Sequence, residues 1–222
     1  MHERRLLMNI NTVLFDLDGT LVDTTELILA SFQHVLDAHA PGRFRREDMI
    51  SFIGPSLNET FQKIDPENAA TLVEAYQKHN REHHDDLIKE YPGVDETVAT
   101  LAAQGWKLGV VTTKRKDMAY RGLEVTGLLP YFSTIVTFND VSKVKPDPEP
   151  IEKALSALEA EAHEAIMVGD SYHDILAGKN AGTKTAGVSW SIKGEDYLRT
   201  FQPDIMLDVM TDLLDYVGVK TP

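Results

Sequence analysis

Short apolar runs recur along the chain at Asn11–Phe15, Leu108–Val111, Thr134–Thr137, Ala165–Val168 and Thr185–Val188. Each is too short for a helix and several are β-branched, the pattern of strands buried on both faces. Between and after them the apolar spacing changes to three and four residues, over Val94–Ala103, Met118–Thr126, Glu149–Leu158 and Asp174–Ala181. Gly105, Gly127 and Gly182 fall at or just beyond the ends of these stretches, where left-handed helix stops belong. Strands alternating with helices predict an α/β fold, a Rossmann-like parallel sheet with helices on both faces.

The segment from Val22 to Lys89 breaks that rhythm. It shows helical spacing over Glu26–His39, Glu47–Phe52, Leu57–Ile64 and Glu67–Lys89, punctuated by Pro41–Gly42, Gly54–Pro55 and Asp65–Pro66. About 68 residues between the first and second strands far exceed an ordinary connection. The expectation is an α/β core at 1–20 and 90–222 and an inserted α-helical domain at 21–89. Its hinges fall near Thr20–Val22 and Lys89–Pro92.

The 222 residues carry 22 Lys+Arg against 35 Asp+Glu, a formal charge of -13. Such an acidic balance opposes general nucleic-acid binding and polybasic membrane contact, so an anionic ligand must meet a local positive site or a bound cation. There is no cysteine, which excludes disulfides, thiolate metal sites and thiol catalysis. No stretch approaches about 18 apolar residues, and Met1–Met8 lacks a secretory apolar core, so a cytoplasmic protein without membrane contact is expected.

Four strand ends carry the chemistry. Asp16–Leu17–Asp18–Gly19–Thr20 follows the first strand directly. A turn can use one aspartate as a cap, but two acids with Gly-Thr against a buried strand ask for a ligand. The calcium-loop spacing fails, because no Glu closes a twelve-residue loop. The second strand ends in Thr112–Thr113–Lys114, where β-propensity alone would explain the threonines. Lys145–Pro146 precedes a helix and alone reads as a solvated loop lysine. Gly169–Asp170–Ser171–Tyr172–His173–Asp174 again runs a strand into acids, which a helix N-cap alone would also allow. Ligands of open parallel sheets bind beyond the carboxyl ends of the strands. Together these residues form a carboxylate cluster for a hard cation, with donors for an oxyanion.

This order, DxDGT, then Thr, then Lys-Pro, then GDxxxD, resembles the haloacid dehalogenase-like hydrolases over essentially the whole chain, helical insert included. The stretches Phe52–Leu57, His79–Asp85, Tyr172–Val188 and Trp190–Gly194 are most similar to a bacterial branch of that family. That branch hydrolyses inorganic pyrophosphate and is linked to HPr kinase/phosphorylase. Phosphoglycolate phosphatases come next.

The resemblance implies Mg²⁺ as cofactor and a small anionic phosphate as substrate. Asp16 is then the nucleophile, and Asp18 the acid for the leaving group and base for water. Thr112 and Lys145 hold the transferring phosphoryl, and Gly19, Thr113, Gly54 and Lys114 contact substrate. The ion is expected on Asp16, the Asp18 carbonyl and Asp170, with Asp174 either behind them, orienting Lys145 or metal-bound water, which is preferred, or a direct minor ligand. Repulsion between two close carboxylates is expected to keep a proton on Asp18. Asp18 disfavours the dehalogenase branch, which lacks that second acid. A second phosphate calls for further cations, from Lys114–Arg115–Lys116 or from Arg43, Arg45 and Arg46. His79, His83 and His84 offer two imidazoles on one helical face, either as metal ligands or as polar surface. A non-catalytic sensor of phospho-ligands is the reading of a different class, opposed by the full set of catalytic residue types.

Overall fold

The computed structural model describes residues 10–53 and 55–219. In chain order the elements are β1 (Thr12–Phe15), β2 (Val22–Asp23), α1 (Thr25–His39), α2 (Arg46–Met49), α3 (Leu57–Ile64), α4 (Ala69–Glu82), α5 (His84–Leu87), β3 (Lys89–Glu90) and α6 (Val94–Ala103). Then follow β4 (Lys107–Val111), α7 (Lys116–Val125), β5 (Thr134–Val136), α8 (Glu149–Ala157), β6 (Ala165–Gly169), α9 (Tyr172–Ala181), β7 (Lys184–Val188), α10 (Glu195–Arg199), β8 (Ile205–Leu207) and α11 (Asp212–Val217). They divide into two compact units. Asp23–Lys89 is one, and the described residues before Val22 and after Glu90, both included, are the other.

The larger unit is built on a six-stranded sheet ordered β5-β4-β1-β6-β7-β8. Every pairing in it is parallel. β1 and β6 are buried at every residue, as continuous apolar strands at the centre of a covered sheet must be. One core layer packs Leu14, Val111, Val136 and Met167 of the sheet against Ile151, Leu155 and Ala177 of α8 and α9. Register positions the site. Phe15 pairs with Val110 on one side and Val168 on the other. Asp16 therefore leaves β1 level with the last residues of β4 and β6, one step short of Thr112 and Asp170.

The smaller unit is helical around Phe32, whose ring lies 5.4 Å from Phe52, 5.6 Å from Phe61 and 4.7 Å from Tyr76. α3 begins with a reciprocal cap in which Ser56 and Glu59 satisfy each other's backbone amides.

The structure departs from the sequence expectations locally. The helix expected over Glu67–Lys89 starts at Ala69, because Asp65 Oδ1 accepts the amides of Glu67 and Asn68 in a turn. It then breaks at His83, and Lys89–Glu90 pairs with Val22–Asp23 as a two-stranded ribbon. The Glu47–Phe52 helix is four α-helical residues followed by a 3₁₀ turn at Ile50–Phe52. The sequence pattern does not predict β2, β3, β8, α10 or α11.

Candidate active site

The loop after β1 winds into a tight turn. Leu17, fully buried, anchors it and accepts the amides of Thr20, Leu21 and Val22 through its carbonyl. Gly19 then takes φ +84°, and a Cβ there would sit 2.4 Å from Asp170 Oδ2. Glycine is required here both by conformation and by the approach of Asp170. Gly169 is constrained by close approach alone, since its Cβ would lie 2.2 Å from Asp174 Cβ. These two contacts let β6 and α9 bring their acids against the β1 loop.

Lys145 lies at the centre. Its Nζ donates to Asp16 Oδ1 at 2.7 Å, to Asp174 Oδ1 at 2.6 Å and to the Val111 carbonyl at 2.7 Å. All three side chains are buried. Burial alone would lower the lysine pKa, but the two carboxylates overcome it and hold the ammonium charged, above the usual lysine range. Asp174 is used on both oxygens, because Oδ2 accepts the amide and hydroxyl of Ser171 at the start of α9. Asp16 Oδ2 carries no hydrogen bond among the described residues, and neither oxygen of the Asp170 side chain does.

Asp16, Asp170 and Asp174 bring one oxygen each to within 4.8 Å of one another. A single lysine does not balance three such carboxylates. Desolvation raises the Asp16 carboxyl to about 7, with Lys145 opposing and Asp174 and Asp18 adding to the rise. Desolvation, then Asp174 and Asp16, pushes Asp170 well above the usual carboxylate range. The free oxygens of Asp16 and Asp170 in this excess of negative charge are a donor set fit for a hard divalent cation.

Other residues singled out from the sequence fall as follows. Asp18 does not stand as a free acid beside Asp16. It forms an ion pair with Lys114, Nζ to Oδ1 at 2.6 Å. Thr112 is buried, and its hydroxyl accepts the amide of Lys114 at 3.1 Å. Thr113 is exposed. Gly54 lies outside the described residues. Asp23 Oδ1 accepts the amide of Thr25 at the start of α1.

Among the other cations, Arg115 pairs with Asp117, Arg45 with Asp48 and Arg46 with Glu26. Arg43 lies over the Phe44 ring and, with Lys63, lines a cavity of about 360 Å³ inside the helical unit. Of the histidines, His79 stacks on His34 and meets His83 at a tilt of 41°, with ring centroids 4.4 Å apart in each pair. His84 is buried and bonds Asp85.

Residues 13–188 match the family model described as haloacid dehalogenase-like hydrolase. The chain belongs to the haloacid dehalogenase-like hydrolases. Within that family it is 54% identical over 214 residues to Pyrophosphatase PpaX of Anoxybacillus flavithermus, covering 96% of this chain and all of the relative. It is 55% identical over 213 residues to Pyrophosphatase PpaX of Halalkalibacterium halodurans, covering 96% and 99%. Among solved structures, a hydrolase from Pseudomonas syringae superposes with a TM-score of 0.82 at 25% identity, covering 94% of this chain and 98% of that one. A haloacid dehalogenase superfamily hydrolase of subfamily IA from Geobacter sulfurreducens superposes with a TM-score of 0.74 at 26% identity, covering 95% and 97%. No described helix is long and apolar enough to cross a membrane.

Proposed function

We propose that this haloacid dehalogenase-like hydrolase is a Mg²⁺-dependent phosphohydrolase that cleaves inorganic pyrophosphate to two phosphates through an aspartyl-phosphate on Asp16. The observation that carries the reading is the state of Asp16: buried, held by Lys145 through one oxygen and, among the described residues, free at the other beside an equally unpaired carboxylate of Asp170. The substrate rests on the relatives named pyrophosphatase, which match nearly the full length of the chain.

Asp16, the Asp18 carbonyl and Asp170 would hold Mg²⁺. When bound, the ion offsets the repulsion between carboxylate and phosphate and the charge on the phosphoryl oxygens. Asp16 Oδ2 attacks one phosphorus as the bridging P–O bond breaks in line. Lys145 fixes the attacking carboxylate, and Thr112 donates to the transferring phosphoryl. Asp18 enters the step protonated, freed as the Lys114 ammonium turns to the leaving phosphate, and gives that proton to the departing oxygen; it then takes a proton from the water that attacks the same phosphorus, releasing phosphate and restoring Asp16. Lys114, paired with Asp18, stands ready for the charge on the leaving phosphate. Asp174 keeps Lys145 in place rather than meeting the ion, since both its oxygens are already bonded. In this reading unit 23–89 serves as the cap domain. A cytoplasmic phosphorolysis of the kind carried out by HPr kinase/phosphorylase is a fitting source of the substrate.

The test is a phosphate-release panel of pyrophosphate, phosphoglycolate and sugar phosphates, with and without Mg²⁺. Pyrophosphate is expected to lead, and only with the ion. If its kcat/KM trails the best organic ester by more than about tenfold, about 1.4 kcal/mol of transition-state preference, the substrate is not pyrophosphate.

A further inference from the structure

The turn after β7 is tied to the acid cluster. Ser191, itself buried, donates its hydroxyl to the backbone carbonyl of Asp170 at 2.7 Å. Its amide bonds the Val188 carbonyl, and Gly194 closes the turn on the Ser191 carbonyl at 2.9 Å. Lys193 lies inside this pinned turn. It is half-buried, and the Asp170 carboxylate is near enough for its charge to act on the ammonium. Yet Lys193 makes no hydrogen bond or ion pair among the described residues. Trp190 adds a second unmet donor to the turn, because its indole Nε1 is buried without an acceptor.

The three lysines around the cluster differ in this respect. Lys145 is saturated by two carboxylates and a carbonyl, and Lys114 is paired with Asp18. Of the three, Lys193 has no hydrogen-bond or ion-pair partner among the described residues. The turn lies beyond β6 and β7, on the opposite side of β1 from the Lys114 loop after β4. An anion at Asp16 is thus bracketed by a lysine-bearing loop on each side. Asp16, Thr112 and Lys145 address one phosphate, and pyrophosphate brings two.

We propose that Lys193 is a specificity-determining residue that binds the phosphate of pyrophosphate not transferred to Asp16. The assignment rests on the pyrophosphate reading and adds a second cation, across β1 from Lys114, for the phosphate that leaves. A charge-assisted contact to that phosphate exists only when the leaving group is itself an anion, so it favours a phosphoric anhydride over a neutral ester.

The test compares wild type with Lys193→Gln and Lys193→Arg in the full chain with Mg²⁺. The readout is the ratio of kcat/KM for pyrophosphate to that for p-nitrophenyl phosphate, beside inhibition constants for methylenediphosphonate and orthophosphate. Lys193→Gln is expected to lower the ratio by at least about tenfold and to weaken methylenediphosphonate more than orthophosphate, while Lys193→Arg recovers most of both. A ratio within about twofold of wild type, or equal weakening of both inhibitors, overturns the assignment. The ratio is taken within one preparation, so loss of folded protein does not imitate the effect. Wild-type protein that leaves pyrophosphate intact refutes the pyrophosphatase reading instead. The paired inhibitors would still decide whether Lys193 recognises a second phosphate.

Discussion

Lys145 Nζ lies 2.6 Å from Asp174 Oδ1, and the other oxygen of Asp174 is held by the first residue before α9. Two acids from different strand ends therefore share one buried ammonium, and one of them is locked to a helix start. Lys145→Met is expected to lower kcat by about 10²–10³ or more, as loss of a preorganised donor does. It should also destabilise the metal-free protein by about 3–5 kcal/mol, because buried carboxylates lose their counter-charge. Asp174→Asn keeps the shape and should cost less, about 10–100-fold in activity. Steady-state kinetics with urea unfolding would check both. Equal losses for the two variants would contradict the locked arrangement.

Asp16 is the residue whose pH behaviour matters most. Its carboxyl is raised from 3.8 to about 7, chiefly by burial. A group raised in the folded state contributes stability at pH below 3.8 and loses it as pH rises through about 7. Metal-free wild type should therefore lose stability across that range. Asp16→Asn should abolish turnover yet melt higher than wild type at pH 8 without metal. The same proton must leave before a cation can bind, so Mg²⁺ affinity should tighten as pH rises from about 6 to about 8. Calorimetry in buffers of different ionisation enthalpy would show proton release on binding at the acid end. Affinity flat with pH would contradict the raised carboxyl.

Gly19→Ala tests the close approach of the β1 loop to Asp170. The left-handed backbone alone costs an alanine about 1–2 kcal/mol. The added methyl must also displace the Asp170 carboxylate, which a Cβ would meet at 2.4 Å. The expected outcome is modest destabilisation with a disproportionate loss of Mg²⁺ affinity, read by metal titration followed through activity. Unchanged affinity would mean that Asp170 does not serve the ion.

The histidine stack in the helical unit predicts acid sensitivity. His79 packs 4.4 Å from His34 at 26° between planes, with Ser31 Oγ 3.1 Å from its Nδ1. Burial first, then His34 and His83, lowers its pKa below 6.5, with Glu82 opposing. A depressed group contributes stability above 6.5 that is lost as pH falls through the lower folded value. The thermal midpoint should therefore drop more steeply between pH 7 and pH 5 in wild type than in His79→Gln. Parallel curves would contradict the stacked arrangement as a source of acid lability.

Much of this site was legible because parallel strands end in register. The pairing of Phe15 with both Val110 and Val168 turns sequence order into proximity, so acids and hydroxyls placed directly after apolar runs had to meet. What the pattern hid were pairings across the chain. Lys114 and Asp18 are 96 residues apart, and nothing local joins them. The same is true of the Ser191 bond to Asp170, and so Lys193 read only as part of a resemblance. Ile205–Leu207 is a three-residue edge strand, too short to carry a period. The break at His83 follows from backbone angles that no residue type there demands.

The most direct test is a crystal structure grown with Mg²⁺ and beryllium fluoride. The account predicts the fluoride complex on Asp16 Oδ2, with the ion between that group and Asp170 and with Lys145 still on Oδ1. An ion elsewhere, or a fluoride complex bound away from Asp16, would contradict it.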